Sequence, residues 1–180
     1  MRILRKIKGF TLVEVVIIIV ILTVLGFAVY MKSSDFYTIK LNSAARKLAS
    51  DMRFAQQMSI STQTLHGVVF NYALVAAPNK YTVYEANTPG NPARDPAGGR
   101  DFIVDYTTGE FMGITISTNP SYTTLPIDPS SGPLVKFNSK GEPLDKDNNA
   151  LTTSTNTVRL SYQGTDKDIK IEPTTGRVSY

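Results

Sequence analysis

The chain has 180 residues, of which 42% are hydrophobic, and a formal net charge of +4. This length accommodates one domain of ordinary size with an additional segment. The absence of cysteine excludes disulfides and thiolate metal sites, and His66 is the single histidine.

The excess positive charge lies at the start of the chain. Four cations, Arg2, Arg5, Lys6 and Lys8, precede the first long apolar run, and residues 10–180 then hold 15 Lys and Arg against 15 Asp and Glu. The basic character therefore fits a short leader, residues 1–9, better than a nucleic-acid-binding surface.

Residues 10–31 form an apolar run of 22 residues with one charge. As a helix the run would span about 33 Å, close to the hydrocarbon thickness of a bilayer. The cations before it, against Lys32 alone close behind, predict a cytoplasmic N-terminus. A cleaved secretory signal would have a shorter apolar core and a small-residue exit, and neither is present.

Glu14 is the one charge inside this run. An Asp or Lys at the centre of a membrane helix costs about 3 kcal/mol, and less near an end. A simple signal anchor gives no reason to keep such a residue. The run holds no cation, so its partner would be a cation of another chain or a new amino terminus made by cleavage nearby.

The stretch "KGFTLVEVV", residues 8–16, resembles the processing motif of type IV pilins and type II secretion pseudopilins. The resemblance implies that a prepilin peptidase cleaves between Gly9 and Phe10 and methylates the new N-terminal Phe10. It also implies that Glu14 is an assembly carboxylate, paired with the N-terminal ammonium of a neighbouring subunit. An uncleaved anchor is the alternative.

Residues 10–77 contain no proline. Many major pilins have a helix-bending proline in this stretch, so its absence favours a minor pilin or pseudopilin over the bulk subunit of a long pilus. Gly26 is the only weak point that remains in the predicted helix.

The helical pattern continues over residues 32–63. One apolar face is predicted, and it consists of Leu41, Ala44, Ala45, Leu48, Met52 and Ala55. The charged residues are expected mostly elsewhere: Lys40, Arg46, Lys47, Asp51 and Arg53. For the arginines and Lys47 we prefer a solvated face over contacts with a subunit or a phosphate.

Residues 64–180 read as a β-rich globular head. Strands are predicted at 65–74 and 80–87, with a turn near Pro78 and Asn79, and as a pair at 102–111 and 113–118. A hairpin over 134–144, a second from 157–163 to 168–173 through 164–167, and a terminal strand at 175–180 follow. Loops are expected at 91–101 and 118–133. The predicted class is α+β, a long N-terminal helix packed on an antiparallel β head.

The resemblance extends into this region. Residues 43–62, 135–143 and 169–180 are similar to minor pseudopilin H of type II secretion and to the T-type fimbrial minor pilin, whose heads pack a long helix against two β-sheets. This implies a single-pass inner-membrane protein with a periplasmic head that enters a filament on assembly. The implied partners are other pilin subunits and the prepilin peptidase.

No pattern of an enzyme is present. The sequence has no G-x-S-x-G, Walker A or H-E-x-x-H motif, and His66 lies in a strand-like run. We expect neither catalysis nor a cofactor.

A calcium loop is a weak candidate at residues 145–150. Asp145, Asp147 and Asn149 have the alternating oxygen spacing of such a loop. Ala150 and Asn156 stand where an EF-hand needs glycine and glutamate, so we prefer a solvated turn.

DNA binding is the alternative function. Some T-type minor pilins of competence pili bind DNA through C-terminal arginines near a Gly-Arg pair, which Gly176 and Arg177 supply here. Arg159 and Lys170 could add charge, although carboxylates lie among these cations in the sequence. A membrane-anchored β-domain that never polymerises is a third possibility.

Overall fold

A computed structural model of the chain describes residues 9–71, 79–117, 119, 121, 123–128 and 132–180, with the backbone alone for 28–35. Parts of four predictions lie outside the described residues: leader residues 1–8, strand residues 72–74, the turn at Pro78, and several positions of the 118–133 loop.

Helix α1 runs from Leu12 to Thr62, 51 residues, and confirms the single long helix predicted from the sequence. It ends where Gln63 adopts a left-handed conformation, φ 57°. The chain divides into two compact units, residues 1–37 and 38–180, and α1 contributes to both. Among the described residues, no helix combines the length and the apolar character needed to cross a membrane.

The described residues of the second unit contain ten strands. They are β1 (His66–Phe70), β2 (Lys80–Tyr84), β3 (Ile103–Asp105), β4 (Thr115–Ile116), β5 (Ile127–Asp128), β6 (Gly132–Phe137), β7 (Pro143–Leu144), β8 (Thr157–Tyr162), β9 (Thr165–Ile171) and β10 (Val178–Ser179). One sheet has the order β3-β2-β1-β6-β5, with β7 paired to β6, and the other has the order β10-β9-β8-β4. Every strand pair is antiparallel, so the predicted α+β class is confirmed.

The core lies between one face of α1 and the two sheets. All six predicted face residues are buried, and Ala49 joins them. The sheets contribute large apolar side chains that include Phe70, Tyr81, Phe137, Leu160 and Ile169. The apolar face of α1, which follows the 3.6-residue period, therefore packs against residues that are distant in the sequence.

Both predicted hairpins form. β6 and β7 turn through Asn138–Glu142, where the Asn138 N–H donates to the Glu142 carbonyl at 3.0 Å. β8 and β9 turn through Gln163 and Gly164, at φ 50° and 78°. Two consecutive positive φ values are typical of a tight hairpin turn. The turn expected at 164–167 is therefore shorter, and 165–167 belong to β9. The terminal strand exists as β10 but is shorter than the predicted 175–180, because only Val178–Ser179 pairs with β9.

The predicted pairing of 102–111 with 113–118 is wrong. β3 pairs with β2, whereas β4 pairs with β8 in the other sheet. A 3-10 turn at Gly109–Phe111 and positive φ values at Gly109 and Gly113 redirect the chain between them. β1 and β2 are also shorter than predicted, because Asn71 and then Ala86 and Asn87 adopt positive φ just beyond each strand.

Asp51 lies in the core and not on the solvated face, contrary to the prediction. Its side chain accepts a hydrogen bond from the Tyr81 hydroxyl at 2.5 Å and forms an ion pair with Lys47 at 2.6 Å. Arg46 and Arg53 are exposed as predicted, and Lys47 is half-buried. A buried carboxylate needs such partners, and here one comes from β2.

Candidate assembly site

The predicted cleavage site is accessible. Gly9 and Phe10 precede α1, Phe10 is 75% exposed, and no atom of the described residues lies within 4 Å of the position that a Cβ on Gly9 would occupy. Since a protease must bind its substrate backbone in an extended form, a bond outside the helix with open space around it suits cleavage.

Thr11 caps the start of the helix. The Glu14 N–H donates to the Thr11 Oγ1 at 3.2 Å, and the Val15 N–H donates to the Thr11 carbonyl at 3.2 Å. This is the N-cap geometry of a Thr-x-x-Glu sequence. Thr11 was missed as a functional candidate, although that spacing is readable from the sequence. A cut after Gly9 would leave the cap intact.

Glu14 lies in the first turn of α1 and its residue is exposed. A carboxylate there interacts favourably with the positive end of the helix dipole. It forms no ion pair with any described residue. Its side chain is therefore available to a cation from outside the described chain.

Phe10 and the part of α1 up to residue 27 expose a continuous apolar surface. The exposed fractions of its large apolar side chains run from 44% at Val15 to 79% at Leu12. Between residues 10 and 27 these side chains are Phe10, Leu12, Val13, Val15, Val16, Ile17, Ile18, Ile19, Val20, Ile21, Leu22, Val24, Leu25 and Phe27. Such a surface fits lipid or other apolar helices rather than water.

Two of the three candidate DNA contacts, Arg159 and Lys170, lie on the second sheet. Val158 and Ile169 are buried, and their strand neighbours Arg159 and Lys170 lie on the opposite face of β8 and β9. Arg177 precedes β10 and lies outside the strands. The structure therefore brings Arg159 and Lys170 to one side of the sheet.

Carboxylates neutralise one of these cations. Arg159 donates from Nε and Nη2 to the two carboxylate oxygens of Asp168, at 2.6 and 2.9 Å, and from Nη1 to Asp166 at 3.3 Å. These hydrogen bonds lower the pKa of Asp168. A guanidinium held in a bidentate pair has little left to offer a phosphate. Lys170 and Arg177 remain exposed.

Packing requires a glycine at position 176, independently of any contact with DNA. Its φ is 67°, and a Cβ there would lie 2.6 Å from the Gln56 Nε2 and 2.7 Å from the Gly141 carbonyl oxygen. Gln56 donates to the Gly141 and Thr175 carbonyls at 2.8 and 2.9 Å, and so ties two turns to α1. The Gly-Arg pair is thus explained by packing at its first position.

The calcium candidate is a turn stabilised by its own groups. One Asp145 carboxylate oxygen accepts the N–H groups of Asp147 and Asn149, both at 2.8 Å. Asp147 pairs with Lys146 at 2.6 Å. In the described part of the chain, no group of three acidic, histidine or cysteine side chains is placed to hold a metal ion.

His66 is buried at the start of β1. Its backbone N–H donates to the Ser59 hydroxyl at 3.0 Å, and its Nδ1 lies 3.1 Å from the Thr64 carbonyl oxygen. The partners given by the structure are thus hydroxyl and carbonyl groups, which suits a structural role at the junction between α1 and β1.

The comparisons with known proteins concern mainly the N-terminal segment. A family model described as the prokaryotic N-terminal methylation motif matches residues 4–30, a range that contains Gly9, Phe10 and Glu14. The resemblance of residues 8–16 to an N-terminal methylation motif is thereby confirmed. A search of curated proteins gave no significant match. Among solved structures, the chain is similar to the type IV minor pilin FimU of Pseudomonas aeruginosa strain PAO1, with 12% identity and a TM-score of 0.45, over 79% of this chain and 88% of that one.

Proposed function

We propose that the chain is a minor pilin or pseudopilin of a type IV filament machine, either a type II secretion pseudopilus or a type IV pilus. It acts by assembly into the filament or its tip and not by catalysis. The observation that carries this proposal is the N-terminal methylation motif at the start of a continuous helix with an exposed apolar surface.

Processing comes first in this account. A prepilin peptidase removes residues 1–9 by cutting between Gly9 and Phe10, and Phe10 is then N-methylated. The position of this bond outside α1 supports the assignment. The new amino terminus then stands one residue before the Thr11 cap.

Before assembly, residues 10–31 anchor the subunit in the inner membrane. The basic leader places the N-terminus in the cytoplasm, and the head beyond about residue 64 lies in the periplasm. Residues 32–63 link the two as the continuation of the same helix. On assembly the apolar segment leaves lipid for the filament core, where apolar neighbours replace the hydrocarbon.

Glu14 sets the register between neighbouring subunits. Its carboxylate pairs with the cationic amino terminus of the adjacent Phe10, which remains charged after methylation. An ion pair is strengthened where water is excluded, whereas an unpaired carboxylate in such surroundings is costly. The lack of an ion pair for Glu14 with the described residues agrees with a partner that arrives at assembly.

Incorporation into sheared filaments tests this function. In a host with the matching filament machine, Glu14→Ala and Glu14→Gln should be processed and membrane-bound but largely absent from the filament fraction. Glu110→Ala, which removes an exposed glutamate of the head, is the matched control and should be incorporated like the unaltered chain. Normal incorporation of both Glu14 variants would refute the assembly role.

The DNA-binding alternative rests on Lys170 and Arg177, both of which are exposed. Two exposed cations make few phosphate contacts, and few contacts give weak and salt-sensitive binding. The filament role is therefore preferred as the general function of the chain.

A further inference from the structure

Lys136 is a charged residue buried inside the head. It lies in strand β6, where every residue is buried, and its own exposed fraction is 4%. The strand pairs with β1 on one edge and with β7 on the other, so Lys136 lies within the sheet and not at its edge. An ammonium in such a place is tolerated only when other groups compensate its lost hydration.

The compensating hydrogen bonds come from a single turn. The Lys136 Nζ donates to the Lys146 carbonyl oxygen at 2.8 Å and to the Asn148 Oδ1 at 2.7 Å. Both acceptors belong to residues 145–149, the turn that joins β7 to the following segment. Asn148 holds a left-handed conformation, φ 67°, that forms part of this turn.

The charges around Lys136 are also supplied by this turn. Burial lowers the pKa of the Lys136 ammonium, and the carboxylates of Asp145, Asp147 and Asp128 oppose that shift. Two of these three carboxylates lie in the turn itself. A carbonyl oxygen and an amide oxygen thus contact the ammonium, and the carboxylates add a favourable electrostatic interaction.

Such a set of oxygens is the one that a hard cation requires. Calcium binds carboxylate, carbonyl and amide oxygens of loops whose acidic residues alternate along the chain. The turn has that alternation, yet its inward carbonyl and amide already bind the Lys136 ammonium. We propose that the Lys136 ammonium is the internal cation of turn 145–149 and takes the place of a metal ion there.

The consequence is a head whose turn is organised without metal. The unaltered chain should therefore keep the same melting temperature with excess calcium or with EDTA. Removal of the ammonium should leave the turn with unpaired oxygens and negative charge, which a divalent cation can then relieve. This inference does not depend on assembly into a filament.

Thermal unfolding of the full chain in detergent tests the proposal. Lys136→Ala should lower the melting temperature by about 5 °C or more, because it leaves buried polar groups unpaired. Excess calcium should restore part of that loss in the variant and leave the unaltered chain unchanged. Lys140→Ala is the matched control, since Lys140 is exposed at the adjacent hairpin turn. It should change neither the melting temperature nor the response to calcium.

A second variant covers the case in which Lys136→Ala does not fold. Lys136→Met keeps most of the side-chain volume in β6 and removes only the charge and its hydrogen bonds. It should still melt below Lys140→Met. The proposal is overturned if the Lys136 variants melt like their Lys140 controls. It is also overturned if calcium stabilises the unaltered chain, or if calcium fails to stabilise the folded Lys136 variant.

Discussion

The hydroxyl of Tyr81 donates a hydrogen bond to the carboxylate of Asp51 at 2.5 Å, and so joins strand β2 to the buried face of helix α1. Asp51 is only 5% exposed, and Lys47, one turn earlier on the same helix, completes its environment. Tyr106 packs edge-on against Tyr81, with ring centroids 5.7 Å apart. This polar contact inside an apolar interface fixes how the helix sits on its sheet.

Removal of either partner should destabilise the protein. We expect Tyr81→Phe and Asp51→Ala each to lower the free energy of unfolding by about 1–3 kcal/mol, because each leaves a buried polar group without its partner. In a double-mutant cycle measured by denaturant unfolding, the two changes should couple by about 1 kcal/mol or more. Tyr84→Phe is the control, since the buried Tyr84 hydroxyl has no hydrogen-bond partner among the described residues. Its loss should cost little, and additive effects of the first two changes would contradict this account.

The pH dependence of the free energy of unfolding should include a contribution from Asp51. Burial raises the pKa of this carboxyl from its ordinary value of 3.8, although Lys47 and Tyr81 oppose the shift. A carboxyl with a raised pKa contributes stability below its ordinary value and loses that contribution as the pH rises through the raised value. The free energy of unfolding of the unaltered chain minus that of Asp51→Asn should therefore decrease from acid to neutral pH.

Asp168 offers a control of opposite sign. Hydrogen bonds from Arg159 lower its pKa, so its contribution is present above the ordinary value and is lost as the pH falls. The free energy of unfolding of the unaltered chain minus that of Asp168→Asn should therefore increase from acid to neutral pH. Equal slopes for the two variants would show that the assigned environments are wrong.

Gly176 should tolerate no side chain. Gly176→Ala combines a positive φ with contacts of 2.6 and 2.7 Å to Gln56 and Gly141, so we expect a loss of about 2 kcal/mol or more in unfolding free energy. Gly164→Ala has a similar φ of 78° but open space around the added Cβ, and should cost about 1 kcal/mol. Chemical denaturation of both variants separates backbone strain from steric overlap. Equal losses would mean that the packing around Gly176 adjusts freely.

Binding of duplex DNA to the full chain should be weak and salt-sensitive. With Arg159 held by Asp168, we expect any binding at low salt to disappear near physiological salt. Arg177→Ala should change it no more than Arg46→Ala, which removes an exposed arginine of α1. Binding that persists at physiological salt and weakens only with Arg177→Ala would instead support a DNA-uptake pilin.

The sequence predicted those features that depend on near neighbours along the chain. The 3.6-residue period gave the buried face of α1, and the turn residues gave both hairpins. It did not predict that β4 leaves the sheet of β3 for that of β8, because that choice depends on packing between distant segments. The burial of Asp51 and of Lys136 was missed for the same reason. Each is tolerated because of partners that only the fold brings near, Tyr81 for the first and the 145–149 turn for the second.

The candidate assembly site was predicted from a short sequence motif and not from the periodicity of apolar residues. Gly9, Phe10 and Glu14 were predicted from a short ordered motif and stay a prediction, and the structure adds the Thr11 cap and the exposure of the apolar helix surface. The charged residues of the β head gave a weaker signal, because sequence does not tell which cations are already paired. Arg159 shows this, since its partners lie across the hairpin.

In the proposed function, the chain is processed at its N-terminus before it assembles. The most direct test is the intact mass of the chain recovered from sheared filaments of a host that has the matching prepilin peptidase. We predict a mass that lacks residues 1–9 and includes one added methyl group, which fragmentation places on the amino group of Phe10. A chain that retains residues 1–9, or that is never found in the filament fraction, would contradict the account.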